Sequence, residues 1–186
     1  MISVVAFLGN VGRQYAGNRH NVAWLFADSL DLARSLNWQR KFKAQYAQRD
    51  GVHFVRPETF MNLSGDSIGE VCSFFKLPPE SVLVVHDELE LPLGTVSLKW
   101  SGGLGGHNGL RSTKTSLGTA DFWRLRFGIG RPSHPDVAGY VLSDFTEDER
   151  IVLSLVWPRA GELLAAILAD GPEAHAKEWA KKKVVE

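Results

Sequence analysis

The sequence predicts an α/β fold: a single domain over residues 1–186 in which a mixed central β-sheet carries helices on both faces, in three αβα layers. Three observations predict it. Short β-branched runs alternate along the chain with stretches whose apolar residues recur every three or four positions. The run Val82-Leu83-Val84-Val85 is continuously apolar, as expected of a strand covered on both sides. No repeat, low-complexity segment or linker divides the chain, and 44% hydrophobic against 23% charged residues is ordinary for a globular protein.

Taken in order, residues 2–8 read as a buried first strand, ended by the turn composition Gly9-Asn10-Val11-Gly12. Val22, Ala23, Phe26, Leu30, Ala33 and Leu36 recur at helical spacing, which predicts a helix from Val22 to about Leu36. Two short runs flank Asp50-Gly51, a dipeptide whose turn matches the twist of a hairpin. A second helix starts near Ser64, with Ile68, Val71, Cys72 and Phe75 inward, and stops at Leu77-Pro78-Pro79 because proline breaks the hydrogen-bond ladder. Thr95 to Trp100 is a further strand leading into the glycine-rich stretch 102–109. Residues 122–129 alternate, with Arg124 and Arg126 on one face and Leu125 and Phe127 on the other. Thr146-Glu147-Asp148-Glu149 has the pattern of a capping box and opens a helix to about Ala169, with a kink expected at Pro158. After Gly171-Pro172 a last short helix carries Lys177, Lys181, Lys182 and Lys183.

Composition narrows the function classes. A lone cysteine, Cys72, rules out an internal disulfide and a cysteine-built metal cage. No apolar run approaches the roughly 18 residues of a membrane span, and the opening Met1-Ile2-Ser3-Val4-Val5 has no basic leader. A cytoplasmic protein is expected. Net charge is zero, but residues 99–134 carry +5 and residues 135–150 carry −4, so a local patch can still attract phosphate.

Four polar clusters fall where strands end, the place where open α/β sheets build sites. They are Gly9 to Tyr15 with Asn18-Arg19-His20-Asn21, then Thr59 to Gly65, then His86-Asp87-Glu88-Leu89, and last Gly102 to Gly109. Each has a structural reading too: His20 starting a helix, Asn62 capping one, Asp87 closing a buried strand, the glycines as a flexible connection. The glycine stretch lacks the third glycine of a dinucleotide loop and the Gly-Lys-Ser/Thr of a P-loop. The six histidines form no His-x-x-x-His pair, and no Gly-x-Ser-x-Gly elbow is present. A histidine, an acid and three asparagines suit hydrolysis by an activated water. Imidazole takes the proton, a carboxylate fixes its tautomer, and amides donate to the developing oxyanion. Spacing alone does not assign these parts.

In register across residues 4–131, the four clusters resemble bacterial peptidyl-tRNA hydrolase, and the general pattern continues to the end of the chain. The resemblance implies ester hydrolysis of peptidyl-tRNA, bound through its acceptor stem and 3′ end. It implies no metal, no cofactor and no obligate protein partner, and a monomer. It makes His20 the general base, Asp87 the acid that supports it, and Asn10 the residue separating peptide-blocked from free aminoacyl-tRNA. Tyr15, Phe60, Asn62 and Asn108 become contacts to the peptide and terminal nucleotide, His107 a wall of the site, and Lys99 and Arg126 a phosphate clamp. Two residues depart from the family's pattern: Val11 replaces a proline and Leu104 a histidine, which could loosen Asn10 and alter discrimination. Two rival readings are a hydrolase-like scaffold that only binds RNA, and a nucleotide-dependent enzyme that ATP or a dinucleotide would stabilise.

Overall fold

The computed structural model describes residues 1–186. Eight strands form one sheet: β1 (Val4–Phe7), β2 (Gln39–Lys41), β3 (Ala44–Arg49), β4 (Val52–Pro57), β5 (Val82–Glu88), β6 (Thr95–Trp100), β7 (Trp123–Gly128) and β8 (Lys182–Lys183). Their order is β2-β3-β4-β1-β5-β7-β6-β8. The centre β4-β1-β5-β7 is parallel, and both flanks are antiparallel, so the sheet is mixed.

Helices cover both faces. On one, α1 (Val22–Ser29) and α6 (Glu147–Asp170) bury Phe26, Val156, Leu163 and Ile167 against Val5, Phe7, Leu83, Val85 and Leu125. On the other, α3 (Ser64–Phe75) and α4 (Asn108–Leu117) bury Ile68, Val71 and Leu110 against Val4, Ala6, Leu8, Val82 and Val84. Alternate residues of β1 and β5 thus enter different cores, which explains their unbroken apolar sequence. α2 (Asp31–Ser35), α5 (Val137–Val141) and α7 (Glu173–Ala176) are short.

The structure corrects several sequence expectations. The long helix from Val22 breaks at Leu30, which is extended (φ −84°, ψ 129°), and α2 restarts one residue later. β2 and its turn at Phe42-Lys43 lacked any glycine or asparagine signal. Both turn residues are left-handed, at φ 58° and 57°. The terminal lysines do not share a helix: α7 ends at Ala176, and Lys182 and Lys183 form the edge strand β8 on β6. α6 is a single helix that contains Pro158, and its Thr146–Glu149 capping box is formed in both directions, as expected. It also holds an 18-residue window of mean hydropathy 1.7, long and apolar enough by composition to cross a membrane, against the expectation of no such run. Here Leu153, Val156, Ala160, Leu163, Leu164 and Ile167 of that helix are buried in the core.

One close approach positions the site. A Cβ at Gly65 would lie 2.1 Å from the carbonyl oxygen of Ser112, so only glycine lets α3 and α4 meet backbone to backbone. The Gly65 N–H then donates to Ser112 Oγ at 2.8 Å. This contact draws the heads of α3 and α4 together, and with them Asn62 and Asn108.

Candidate active site

Strands β1, β4, β5 and β7 run parallel, so the segments that follow their carboxyl ends gather on one edge of the sheet. Asn10 follows β1, Phe60 and Asn62 follow β4, and Asp87 is the penultimate residue of β5. His20 sits in a 3-10 turn, Arg19–Asn21, at the head of α1. Arg19 pins that turn. Its guanidinium is buried, lies 4.3 Å over the Tyr140 ring, and donates to Ser143 O, Asp144 O and Glu149 Oε1, the last at 2.7 Å.

At the centre is one carboxylate between two imidazoles. Asp87 is 3% exposed. Its Oδ2 lies 2.8 Å from His20 Nδ1, and its Oδ1 lies 2.7 Å from His107 Nε2. His107 caps α4: its Nδ1 accepts from the N–H groups of Gly109 and Leu110 at 3.1 and 3.3 Å. Nδ1 therefore carries a lone pair, the proton is on Nε2, and that N–H donates to Asp87. His20 likewise meets the carboxylate with its Nδ1–H, which leaves Nε2 as an acceptor.

Electrostatics support this. Burial alone would lower the pKa of His20, but the Asp87 charge and hydrogen bond outweigh it, and the net shift is upward from 6.5. Burial would raise Asp87, yet the two histidines hold it well below the usual carboxylate range. His86 is the opposite case. It is fully buried, its Nδ1 donates to Asp87 O at 2.8 Å, its Nε2 has no partner, and burial drives its pKa well below 6.5. Burial pushes the Cys72 thiol up to about 11, which leaves it unsuited to nucleophilic work.

Asn10 is held by three hydrogen bonds. Its N–H donates to Asn21 Oδ1 and its carbonyl accepts from Asn21 Nδ2, both at 2.9 Å, while its Oδ1 accepts from the Met61 N–H at 2.6 Å. The amide orientation is thus fixed with Nδ2 left to donate. Asn21 and the Met61 N–H were missed as parts of the site. Adjacency of Asn21 to His20 was the only signal.

A cavity of about 320 Å³ opens on His20, Asp87, His107 and Asn108, and is walled by Leu89, Leu104, Val137 and Val141. Asn62 does not line it. It lies in an adjoining polar groove with Asp66, Arg111 and Ser112, and Asn108 borders both spaces. Tyr15 and the 52% exposed Phe60 form an edge-on aromatic pair with centroids 6.3 Å apart.

The basic residues lie on β6 and β7. Ser97 pairs with Arg126, which pairs with His86 across β5, so Arg126 lies one strand from the centre. Arg126 is engaged, with Glu88 Oε1 at 3.1 Å and Ser97 Oγ at 2.9 Å. Lys99 makes no ion pair. Burial and then the charges of Arg126 and Arg124 lower its pKa, and Lys181 adds to that field. Of the site residues expected from the sequence, His20, Asp87, His107 and Asn108 line the central cavity, whereas Asn10, Tyr15, Phe60, Asn62, Lys99 and Arg126 lie outside it.

His20, Asp87 and His107 also place three ligand atoms within 4.8 Å of one another, a cluster that no sequence spacing revealed. Each carboxylate oxygen already meets one imidazole nitrogen, so a cation would enter only by displacing both shared protons.

The family model for peptidyl-tRNA hydrolase matches residues 4–186. The peptidyl-tRNA hydrolase of Treponema pallidum is 43% identical over 99% of this chain and 97% of its own length. That of Desulfitobacterium hafniense is 46% identical over 82% and 85%. The crystal structure of peptidyl-tRNA hydrolase from Acinetobacter baumannii superposes with a TM-score of 0.87 at 32% identity, covering 99% of this chain and 97% of that one. Fold, edge geometry and sequence agree: the chain belongs to the peptidyl-tRNA hydrolase family.

Proposed function

We propose that His20, oriented by Asp87, is the base with which this chain carries out its hydrolysis of peptidyl-tRNA. The activity follows from the family: the chain is an ester hydrolase that releases tRNA from peptidyl-tRNA. The observation that carries the reading of the base is the 2.8 Å contact between His20 Nδ1 and Asp87 Oδ2, at the rim of a cavity that Asn108 shares. Water gives its proton to His20 Nε2 as its oxygen attacks the ester carbonyl. The resulting oxyanion takes hydrogen bonds from amide donors. Asn108, which borders the cavity of His20, is better placed for this than Asn62 in the adjoining groove. Collapse expels the 3′ oxygen of the terminal ribose, which recovers the proton from the imidazolium. Asn10, with its amide nitrogen free, reads the acylated amino group of a blocked substrate. Tyr15 and Phe60 flank the peptide or terminal base, and Lys99, with Arg126 beside it, holds phosphate. The chain works as a single-domain cytoplasmic monomer with neither metal nor cofactor.

The test is hydrolysis of N-acetyl-aminoacyl-tRNA and of unblocked aminoacyl-tRNA with no metal added. The blocked substrate is expected to be cleaved and the unblocked one spared. His20→Ala is expected to lower kcat on the order of 10²- to 10⁴-fold. Full activity in that variant overturns the base.

A further inference from the structure

Arg124 lies within β7 and is only 1% exposed. A guanidinium so deeply buried costs much free energy unless a carboxylate or strong acceptors compensate it. Arg124 makes no ion pair; its acceptors are all backbone carbonyls. Nη1 donates to Gly103 O at 2.6 Å, and Nη2 donates to Gly102 O at 3.1 Å and Ala120 O at 3.0 Å. The plane also lies over Phe122, 4.6 Å from the ring centroid. A charged fork therefore ties the start of the glycine-rich loop to the segment entering β7.

What lies downstream of that tie gives it a function. Leu104, Gly105 and Gly106 follow Gly103 and line the cavity over His20. Leu104 packs against the core under α3 and α4 and its carbonyl accepts from the His107 N–H at 2.9 Å, while the two glycines offer no side chain and are left-handed, at φ 59° and 75°. Next comes His107, with its bond to Asp87, then Asn108. Polar contacts thus fasten the loop at both ends, Arg124 at one and the His107–Asp87 contact at the other, with Leu104 packed on the core between them.

We propose that Arg124 is a positioning residue for hydrolysis: by holding the carbonyls of Gly102 and Gly103 it fixes the loop that delivers His107 to Asp87 and Asn108 to the cavity. This rests on His20 and Asp87 acting as base and partner. Without the donor from His107, Asp87 would pull on the His20 proton alone. The titratable groups facing His20 most closely are Asp87 from β5 and His107 from the head of α4; His86 and Glu88 of β5 and Arg131 after β7 line the same cavity. α5, packed over the same turn, brings only Tyr140, whose hydroxyl donates to Ile129 O, and the facing end of α1 brings none.

The experiment is a cycle of R124M, H107A and the double variant in the full-length chain, assayed on N-acetyl-aminoacyl-tRNA across pH, well below each unfolding midpoint. R124M is expected to lower kcat on the order of 10- to 100-fold while KM moves less than about threefold. Its acid limb of kcat/KM is expected to shift to higher pH. In the H107A background R124M is expected to cost almost nothing more, because both act through one contact. A wild-type kcat in R124M, or losses that simply multiply in the double variant, overturn the proposal. Should R124M fail to fold, R124K, which keeps the cation but not the fork, decides the same cycle by the same criteria. An Asp87→Asn variant with unaltered kcat and pH profile would instead remove the base and partner reading, and it leaves the cycle itself unaffected.

Discussion

Around Asp87 nearly every polar contact is internal, while Lys99 makes no ion pair and has one carboxylate, Glu88, acting against three nearby cations. The carboxylate spends both oxygens on imidazoles, His107 spends its second nitrogen on helix N–H groups, and Asn10 is clamped at three points. On β6 and β7, by contrast, Lys99 makes no ion pair and sits in the field of Arg124, Arg126 and Lys181, opposed by Glu88 alone. The first region is built for geometry, the second for attraction over distance. In the proposed reading, a substrate phosphate completes the compensation that Glu88 begins. Mutations in the first should therefore act on kcat and pH dependence, and those in the second on KM and salt dependence.

The largest effect that bears on this division is expected from Asp87→Asn. With the carboxylate His20 titrates above 6.5, so the base form grows in only as pH passes that raised value. Without it, burial alone remains and lowers the pKa, so the acid limb of kcat/KM should move to lower pH. The tautomer is no longer enforced, and kcat should fall on the order of 10²- to 10⁴-fold. A pH–rate profile shows both; a limb that moves upward contradicts the assignment.

Lys99→Ala should leave kcat near wild type and raise KM about tenfold at low salt, with the slope of log KM against log salt falling by nearly one ion, about 0.7 to 0.9. A fall in kcat with KM unchanged would erase the distinction between the two regions. Glu88→Gln is the smallest test. Releasing Arg126 from its 3.1 Å partner should lower KM by only about two- to threefold, the scale of a partly exposed pair. A rise in KM would show that Glu88 orients Arg126 and does not compete with phosphate.

The same two regions differ in how far they could be read from sequence. Val82–Val85, the Asp50-Gly51 hairpin and the Thr146 capping box each carry a local signature strong enough to survive folding. The helix α4 does not, because only Gly109, Leu110 and Thr113 are buried in a segment otherwise polar, so no apolar period marks it. The break at Leu30 was hidden for the opposite reason: Phe26 before it and Ala33 and Leu36 after it are all buried and keep the period. Within the site, His20 and Asp87 fell in polar clusters, and the family resemblance rather than their spacing gave them roles. Arg124 had no such pointer. Alternation placed it on a face with Arg126, but only the loop folded over it shows that one guanidinium is sealed in while the other borders solvent.

Arg19 fastens the turn bearing His20 to Glu149, 130 positions further along the chain. Synthesis delivers the imidazole early and its support late. The hydrolytic edge is therefore complete only once the head of α6 has been made and docked, long after the imidazole itself has emerged.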